Sequence, residues 1–331
     1  MTLPDDLELV VDETQSVADG VLALTLRAPS GTELPAWEPG AHIDLVLTQD
    51  LIRPYSLCGD PADRRTWRIA VLNEPAGRGG SAYVHRKLTP GSKVAVRGPR
   101  NHFPLHPAAR YRFVAGGIGI TPLLPMLAAA EAAGADWTLL YGGRTRQSMA
   151  YVSELTERYG SGRIRIAPQD ECGHLDLSTA LADPAPGTLV YCCGPAPLLD
   201  AVTAHCADTR PPTALHLERF RPKEPEWESE WESECGSESE VPLESFELVL
   251  DRSARTLTVE PGVSVLQAVR SAGVEVLYSC TEGTCGTCET EVLEGVPDHR
   301  DSVLTDEERA ANETMLICVS RCKGSRLVLD L

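Results

Sequence analysis

The feature that most constrains this chain is a group of three cysteines within nine residues, in the segment CTEGTCGTC. Cys280, Cys285 and Cys288 follow the spacing C-x4-C-x2-C. Thiols at such short intervals are typical of a metal centre, and a centre held only by thiolates takes four of them. The 331 residues include 11 cysteines, of which Cys318 and Cys322 come next along the chain. The segment therefore has to fold as a tight loop around a metal, and one of these two cysteines is the candidate for the fourth ligand.

The spacing of the first three cysteines, followed by a distant fourth, is the pattern of [2Fe–2S] ligation. Gly283 and Gly286 allow the loop to turn tightly and to point backbone N–H groups at sulfur. Zinc is the alternative metal, because zinc sites pair two short motifs of the form C-x2–4-C and Cys318-x3-Cys322 is available as the second one. The residues by themselves favour an iron–sulfur cluster and leave zinc open.

Charge and targeting signals exclude several classes of protein. Lys and Arg number 30 against 48 Asp and Glu, a formal net charge of −18, which argues against binding to nucleic acid or to an anionic membrane surface. The N-terminal segment MTLPDDLELVVDE lacks the layout of a signal peptide, and no apolar run of about 18 residues is present. An odd number of cysteines without a secretion signal favours a reducing compartment. We therefore expect a cytoplasmic protein that does not bind a membrane.

The chain divides into segments with different patterns of apolar residues. Residues 1–108 contain short strand-like runs punctuated by Pro and Gly, which predicts an antiparallel β-barrel or sandwich. Residues 109–220 alternate strand and helix patterns, which predicts a parallel sheet with helices on both faces. Residues 244–331 begin with a hairpin pattern, continue with a helix and the cysteine loop, and end on a strand. Three domains are therefore expected.

The segment between the last two domains, residues 221–243, has an unusual composition. It contains EWES twice in tandem, and residues 221–240 hold eight glutamates against two basic residues. So few apolar residues cannot form a core, which predicts a solvated, self-repelling linker. The alternative is a short helix that docks through Trp227 and Trp231, which lie four residues apart.

Residues 244–331 resemble a plant-type ferredoxin domain, which has a β-grasp fold. In that family the fourth cluster ligand lies in the segment that leads to the last strand. The resemblance therefore implies that Cys318, in MLICVSRC, completes the set with Cys280, Cys285 and Cys288. It also implies that Cys322 is not a ligand.

A one-electron cluster beside a strand–helix domain requires a converter between two-electron and one-electron chemistry, and flavin is the usual one. The segment RPYSL resembles the flavin motif of the ferredoxin-reductase superfamily. The resemblance implies that Arg53 binds a phosphate, that Tyr55 covers the flavin and that Ser56 lies near flavin N5. In IAVLN, it implies backbone contacts to the flavin ring from Ala70, Val71 and Leu72.

A second segment, GRGGSAYVH, places Gly79, Gly80 and Ser81 at a predicted helix start, where free N–H groups and the helix dipole favour phosphate. The segment GPRNHFPL is similar to the barrel-closing segment of the phthalate dioxygenase reductase and vanillate demethylase reductase family. No insert that would stack on an adenine is evident. We therefore expect FMN in preference to FAD.

The segment VAGGIGITP follows a predicted strand and leads into an apolar, alanine-rich helix predicted over residues 122–134. Gly116, Gly117 and Gly119 in it permit close approach of a pyrophosphate. Its Thr-Pro ending resembles the same reductase family, which implies that Thr121 faces the flavin. Arg144 follows the next strand, in YGGR, and either contacts the dinucleotide or is simply solvated.

The segment YCCGP resembles the Cys-Gly-Pro motif of the same family. The resemblance implies that Cys193, Gly194 and Pro195 lie near the nicotinamide, whereas Cys192 points into the sheet. It further implies that Phe220 packs on the flavin ring where the nicotinamide has to enter. No side chain is required as an acid or base in hydride transfer, so Ser56 and Cys193 are expected to shape the approach.

The motifs appear in the order of the phthalate dioxygenase reductase family along essentially the whole chain. This resemblance implies a multidomain reductase that passes electrons from NADH, with NADPH possible, through FMN and a [2Fe–2S] cluster to a terminal oxygenase. The oxygenase is either a Rieske non-haem iron enzyme or a cytochrome P450. Two alternatives stay open: a stand-alone NADH diaphorase or oxidase, and a redox-sensing iron–sulfur flavoprotein.

Overall fold

The computed structural model describes residues 6–182, 185–207, 209–222 and 244–331. The chain forms two compact units, one over Pro4–Phe220 and one that contains Arg221–Leu331. Apart from residues 221 and 222, the predicted linker, including both tryptophans of its alternative helix, lies outside the described residues. The predicted division at residues 108 and 109 falls inside the first unit, between its two sheets.

The first sheet has six antiparallel strands in the order β4-β3-β6-β1-β2-β5. Leu57, directly after β4, forms a bridge with Ile69 of β5, so the two edge strands meet and the sheet closes into a barrel. Trp67, Leu24 and Ile43 are fully buried inside it. Helix α1 (Gly80–Lys87) follows β5. The strands are β1 (Leu7–Ala18), β2 (Val21–Arg27), β3 (His42–Thr48), β4 (Leu51–Ser56), β5 (Thr66–Leu72) and β6 (Lys93–Arg100).

The second sheet of this unit has five parallel strands in the order β11-β10-β7-β8-β9. Its central strand is buried along nearly its whole length because helices cover both faces. The strands are β7 (Arg110–Gly116), β8 (Asp136–Gly143), β9 (Ile164–Pro168), β10 (Thr188–Cys193) and β11 (Leu215–Glu218). The helices are α2 (Ile120–Ala132), α3 (Val152–Tyr159), α4 (Gln169–Cys172), α5 (Leu177–Ala180) and α6 (Ala196–Ala207), with 3₁₀ turns at Gly117–Gly119, Arg146–Ser148 and Pro212–Ala214.

Parallel strands bring their carboxyl ends to one edge of the sheet, and the glycine turn after β7 lies at that edge. Helix α2 starts at Ile120, two residues before the start expected from the apolar run, and ends at Ala132. The difference arises because the 3₁₀ turn runs directly into the helix.

The second unit has a five-stranded mixed sheet in the order β13-β12-β18-β14-β16 and a separate pair, β15 and β17. Strands β12 and β18 are parallel neighbours, although they lie at opposite ends of this unit in sequence. The elements are β12 (Phe246–Leu250), β13 (Arg255–Val259), α7 (Val265–Ser271), β14 (Glu289–Glu294), β15 (Pro297–Asp298), α8 (Asp306–Ala311), β16 (Thr314–Leu316), β17 (Arg321–Cys322) and β18 (Arg326–Leu329).

These sheets confirm the predicted fold class of an antiparallel barrel, a parallel nucleotide-binding sheet and a C-terminal ferredoxin-type domain. Helix length bears on the membrane prediction, since a spanning helix needs about 20 apolar residues. Across the ranges that the structure describes, no helix has both the length and the apolar character to cross a bilayer.

Candidate functional site

The cysteine loop of the second unit joins α7 to β14 without regular structure of its own. Cys280, Cys285 and Cys288 are buried in it, and Cys318, in the turn after β16, is buried as well. The thiol of Cys280 is within hydrogen-bonding range of those of Cys285 and Cys318, and the thiol of Cys318 is in range of that of Cys288. The structure therefore brings all four predicted ligands together.

The loop closes because of two glycines with left-handed backbone, Gly283 at φ +69° and Gly286 at φ +71°. A Cβ at Gly283 would lie 2.6 Å from Val319 Cγ2, so no larger residue fits there. The turn directs the N–H groups of Glu282 and Thr284 at Cys280 Sγ, at 3.3 and 3.5 Å. The thiols of Cys285 and Cys318, with a smaller contribution from these N–H groups, hold the pKa of Cys280 well below its usual range, which favours the thiolate that a metal requires.

The contacts run from Cys285 to Cys280, from Cys280 to Cys318 and from Cys318 to Cys288. Four thiols grouped in this way fit a [2Fe–2S] cluster, in which each iron takes two thiolates. Cys322 is not part of the group. It lies on β17, where its Sγ accepts a hydrogen bond from Gly324 N–H at 3.3 Å and lies 3.3 Å from the carbonyl oxygen of Arg326.

In the barrel, Arg53 lies against the start of α1. Its Nη2 donates to the carbonyl oxygen of Arg78 at 3.1 Å, and a Cβ at Gly80 would lie 2.5 Å from Arg53 Cγ. Gly79 precedes the helix and no side chain caps its first N–H groups. A guanidinium beside uncapped N–H groups fits the phosphate of a flavin nucleotide.

The bridge between Leu57 and Ile69 places the end of β4, with Tyr55 and Ser56, beside β5. Ser56 is buried, and burial raises the pKa of the Tyr55 phenol, which is therefore neutral. Along β5 the structure places the remaining predicted flavin contacts, Ala70, Val71 and Leu72.

Two side chains connect α1 to β5 and to the segment that follows it, and they fix the proposed phosphate end relative to the ring end. His85 Nε2 lies 2.8 Å from the carbonyl oxygen of Val71, and Ser81 Oγ accepts from Glu74 N–H at 3.0 Å. This arrangement fits a flavin whose phosphate lies at α1 and whose ring lies along β5.

At the edge of the parallel sheet, the turn after β7 packs directly on the turn after β10. A Cβ at Gly119 would lie 2.3 Å from the carbonyl oxygen of Cys193, and one at Gly116 would lie 2.6 Å from Pro195 Cδ. Gly194 is equally close, since its Cβ would lie 3.0 Å from Gly116 Cα. Gly117, in contrast, faces open space, with nothing within 4 Å. The contact leaves an open backbone surface that fits a pyrophosphate.

Cys193 is paired in register with Glu218 of β11, and its thiol donates to Glu218 Oε2 at 3.8 Å. Burial raises the pKa of Glu218 to about 8 and the pKa of the Cys193 thiol well above its usual value, so both groups are neutral near pH 7. Thr121 is buried in the first turn of α2, and its hydroxyl donates to the carbonyl oxygen of Ile118 at 3.0 Å.

Two predicted contacts lie at the rim of this edge. Arg144 is exposed after β8 and has no ion pair within the described part of the chain. Phe220 follows β11 and keeps 38% of its surface exposed, an unusual exposure for a large apolar side chain.

Sequence reasoning missed Tyr141, which supports the glycine turn from beneath. It is fully buried on β8, and its hydroxyl lies 3.1 Å from the carbonyl oxygen of Gly117 and 3.2 Å from that of Ala150. The available signal was a tyrosine near the end of an apolar strand, as the first residue of YGGR, but its pattern is the same as that of any core residue.

Family models match two parts of the chain. Residues 248–323 match the 2Fe-2S iron–sulfur cluster binding domain, and residues 113–204 match the oxidoreductase NAD-binding domain. The first match includes all four grouped cysteines, so the zinc alternative is wrong. The two matches confirm the predicted [2Fe–2S] cluster and nicotinamide coenzyme.

Comparison with whole proteins extends these matches to nearly the full chain. The chain is 44% identical, over 95% of its length and 94% of the relative's, to the phenoxybenzoate dioxygenase subunit beta of Ectopseudomonas oleovorans. Its structure is similar to that of an intact type IV self-sufficient cytochrome P450 monooxygenase, with a TM-score of 0.87 and 44% identity over 98% of this chain. This chain corresponds to only 41% of that protein's length.

The structure is also similar to phthalate dioxygenase reductase, a modular protein for electron transfer from pyridine nucleotides to [2Fe–2S]. Here the TM-score is 0.71 and the identity 33%, over 98% of both chains. The similarity covers the barrel, the nucleotide sheet and the cluster unit in one order. This chain therefore belongs to the phthalate dioxygenase reductase family of oxygenase reductases.

Proposed function

We propose a separate binding role for each segment of this NADH-dependent reductase, which transfers electrons through FMN and a [2Fe–2S] cluster to a terminal oxygenase. In this proposal residues 1–108 hold FMN, residues 109–220 bind NADH, residues 221–243 link the units, and residues 244–331 hold the cluster. When bound, FMN converts the two electrons of a hydride into single electrons for the cluster. Every other part of the mechanism is binding and positioning by the chain itself.

The observation that carries the proposal is the backbone contact between the turns after β7 and β10. Gly119 and Cys193 meet there with no room for a methyl group, and of the four glycines in these two turns Gly117 is the one that faces open space. We infer that the pyrophosphate binds at Gly116, Gly117 and Gly119, and that the nicotinamide lies against Cys193, Gly194 and Pro195. Positioning of this kind is the main contribution that a protein makes to hydride transfer.

Neutral groups line the proposed nicotinamide position. The Cys193 thiol and the Glu218 carboxyl both keep their protons near pH 7, since burial raises both pKa values. A thiolate or carboxylate there would stabilise the oxidised, positively charged nicotinamide, whereas neutral groups leave the reduced coenzyme undisturbed. Phe220, exposed beside this edge, would cover the flavin until the nicotinamide displaces it.

The flavin contacts are inferred from the contacts within the barrel. Arg53 with Gly79, Gly80 and Ser81 would hold the phosphate. Tyr55 and Ser56 would face the ring, with the backbone of Ala70, Val71 and Leu72 along its edge and Thr121 approaching from α2. The preference for FMN over FAD rests on the sequence, in which no insert that would stack on an adenine is evident.

The acceptor is a terminal oxygenase, and we propose that it is either a Rieske non-haem iron enzyme or a cytochrome P450. One relative is named as a dioxygenase subunit and one structural match is a cytochrome P450. Residues 244–331 carry sixteen acidic against eight basic side chains, so we infer that an acidic face docks on a basic patch of either kind of oxygenase. Coupled turnover that did not fall as salt is raised would contradict this docking.

Anaerobic addition of NADH tests the scheme. The flavin absorbance should bleach first and the cluster absorbance second, and acid-released flavin should co-migrate with FMN. NADH consumption should rise when a Rieske oxygenase or a cytochrome P450 is added. Consumption that is independent of any oxygenase would favour the diaphorase, and failure of NADH to bleach the flavin would favour the redox sensor.

A further inference from the structure

The carboxyl ends of β8 and β9 carry a pair of arginines and a pair of acids that the proposed function does not use. Arg144 and Arg146 follow β8, 25 and 27 residues after Gly119, and Asp170 and Glu171 follow β9. In dinucleotide-binding folds, an acid about 20 residues beyond the glycine turn binds the ribose 2′-hydroxyl of NAD, whereas an arginine accommodates the 2′-phosphate of NADP. By that rule the two arginines, taken without the acids, would favour NADPH.

The structure changes this expectation because Glu171 forms an ion pair with Arg146. Arg146 Nε donates to Glu171 Oε1 at 3.0 Å, and Arg146 Nη2 donates to Glu171 Oε2 at 2.6 Å. This is the two-pronged geometry with which arginine binds a carboxylate or a phosphate. The hydrogen bonds from Arg146 lower the pKa of Glu171, so the pair is ionised at neutral pH.

Both residues of the pair stand on constrained backbone. Thr145 and Ser148 form a capping box around the 3₁₀ turn of Arg146: the Thr145 hydroxyl accepts from Ser148 N–H at 3.3 Å, and the Ser148 hydroxyl accepts from Thr145 N–H at 3.2 Å. The N–H of Asp170 donates to the carbonyl oxygen of Arg144 at 3.2 Å, which joins the two strand ends. Hydrogen bonds therefore hold the backbone on both sides of the ion pair in place.

The location of the pair rests on the proposed function. With the nicotinamide against Cys193 of β10, on one side of the glycine turn, the adenosine has to extend to the other side, over β8 and β9. Its 2′-position then faces Arg144 and Arg146. With Asp170 and Glu171 the four formal charges cancel, so this edge offers a 2′-phosphate no net positive charge.

We propose that Glu171 is a specificity-determining residue, which withholds Arg146 from a 2′-phosphate and thereby makes the protein select NADH over NADPH. Removing the carboxylate charge frees a guanidinium already positioned for phosphate. One charge-assisted hydrogen bond corresponds to about a tenfold to hundredfold change in binding. The ratio of kcat/KM for NADPH to that for NADH should rise by about tenfold or more in Glu171→Gln.

A binding measurement separates this proposal from the electron-transfer scheme. The dissociation constants of 2′,5′-ADP and ADP are compared by calorimetry in the full-length holoprotein, which requires no turnover. Glu171→Gln should shift their ratio by about tenfold toward 2′,5′-ADP. Glu171→Gln combined with Arg146→Gln should return the ratio to that of the unsubstituted protein, because the phosphate-binding group is gone.

The matched control is Asp12→Asn, which breaks the Asp12–Arg27 pair on the barrel, at 2.6 Å and of similar exposure. It should leave both ratios unchanged. An unchanged ratio of 2′,5′-ADP to ADP binding in Glu171→Gln would overturn the inference even if NADH reduces the flavin normally. Failure of NADH to reduce the flavin, with the binding ratio shifted as expected, would instead overturn the proposed function and leave Glu171 as a selector of 2′-groups.

Discussion

The cluster loop and the nucleotide edge form their sites in opposite ways. In the cluster loop, three ligands lie within nine residues, and local backbone turns at Gly283 and Gly286 aim donor groups at sulfur. At the nucleotide edge, Gly116 and Gly194 are 78 residues apart in sequence, yet a Cβ on one would be 3.0 Å from the other. The cluster site depends on the sulfur atoms that its cysteines supply. The nucleotide edge depends on glycines, whose lack of a Cβ lets two turns come into contact. Loss of a sulfur should therefore damage the first site, and addition of a methyl group should damage the second.

The largest effect is expected from removing one sulfur ligand from the group of four thiols that the cluster loop forms with Cys318. Cys318→Ser should lower the iron content from about two per chain to near zero and abolish the visible cluster spectrum, because the fourth thiolate is lost. Electron delivery to an oxygenase should disappear, while flavin bleaching by NADH persists. Iron analysis and visible absorption measure the two parts separately.

Cys322→Ser is the control for this substitution, since its sulfur lies on β17 outside the group. It should keep both iron and spectrum. The opposite pattern, with the cluster lost only in Cys322→Ser, would show that the group of four thiols, Cys280, Cys285, Cys288 and Cys318, is not the metal site.

An intermediate effect is expected from adding one methyl group at the nucleotide edge. Gly119→Ala would place a Cβ 2.3 Å from the carbonyl oxygen of Cys193, which forces the two turns apart. We expect a loss of about 1–3 kcal/mol in stability. A shift of about 1 Å between coenzyme and flavin should slow flavin reduction by about 100-fold.

Stopped-flow reduction by NADH and thermal unfolding measure these two losses. Gly162→Ala is the matched control, because nothing lies within 4 Å of its Cβ position. Loss of iron in Gly119→Ala, or flavin reduction at the normal rate, would contradict the expectation that this substitution damages the nucleotide edge and leaves the cluster intact.

The smallest effect concerns the buried carboxyl of Glu218. This group is neither a cluster ligand nor part of a glycine contact, so its substitution should affect stability through charge alone. Burial raises its pKa from 4.5 to about 8. Between these values the unfolded chain releases the proton and the folded chain keeps it, so stability falls as pH rises, by up to about 1.4 kcal/mol per pH unit. Glu218→Gln removes this dependence.

Thermal unfolding between pH 6 and pH 8 measures it. The unfolding midpoint of Glu218→Gln should rise relative to that of the unsubstituted protein as pH rises. A constant difference for Glu218→Gln would mean that its carboxyl is already ionised in the folded protein.

Much of the fold could be predicted because the patterns are local. The alternation of strands and helices after residue 109 predicts the parallel sheet, and the family matches confirm the cofactors. The boundary of α2 was missed by two residues, since the 3₁₀ turn at Gly117–Gly119 has no pattern of its own. Tyr141, which supports that turn, was also missed, because a buried tyrosine resembles core until its hydroxyl partner is known.

The sequence by itself determined the chemistry available to this protein. The cysteine spacing predicts a cluster, and RPYSL, GGIGITP and CCGP identify a flavin and nicotinamide reductase. Only the tertiary structure decided which groups meet. It brought Cys318 and not Cys322 to the loop, packed Gly119 on Cys193, and paired Arg146 with Glu171. The physical reason is range: ligand type and turn geometry are encoded over a few residues, whereas charge pairing and backbone contact depend on strands brought together from distant parts of the chain.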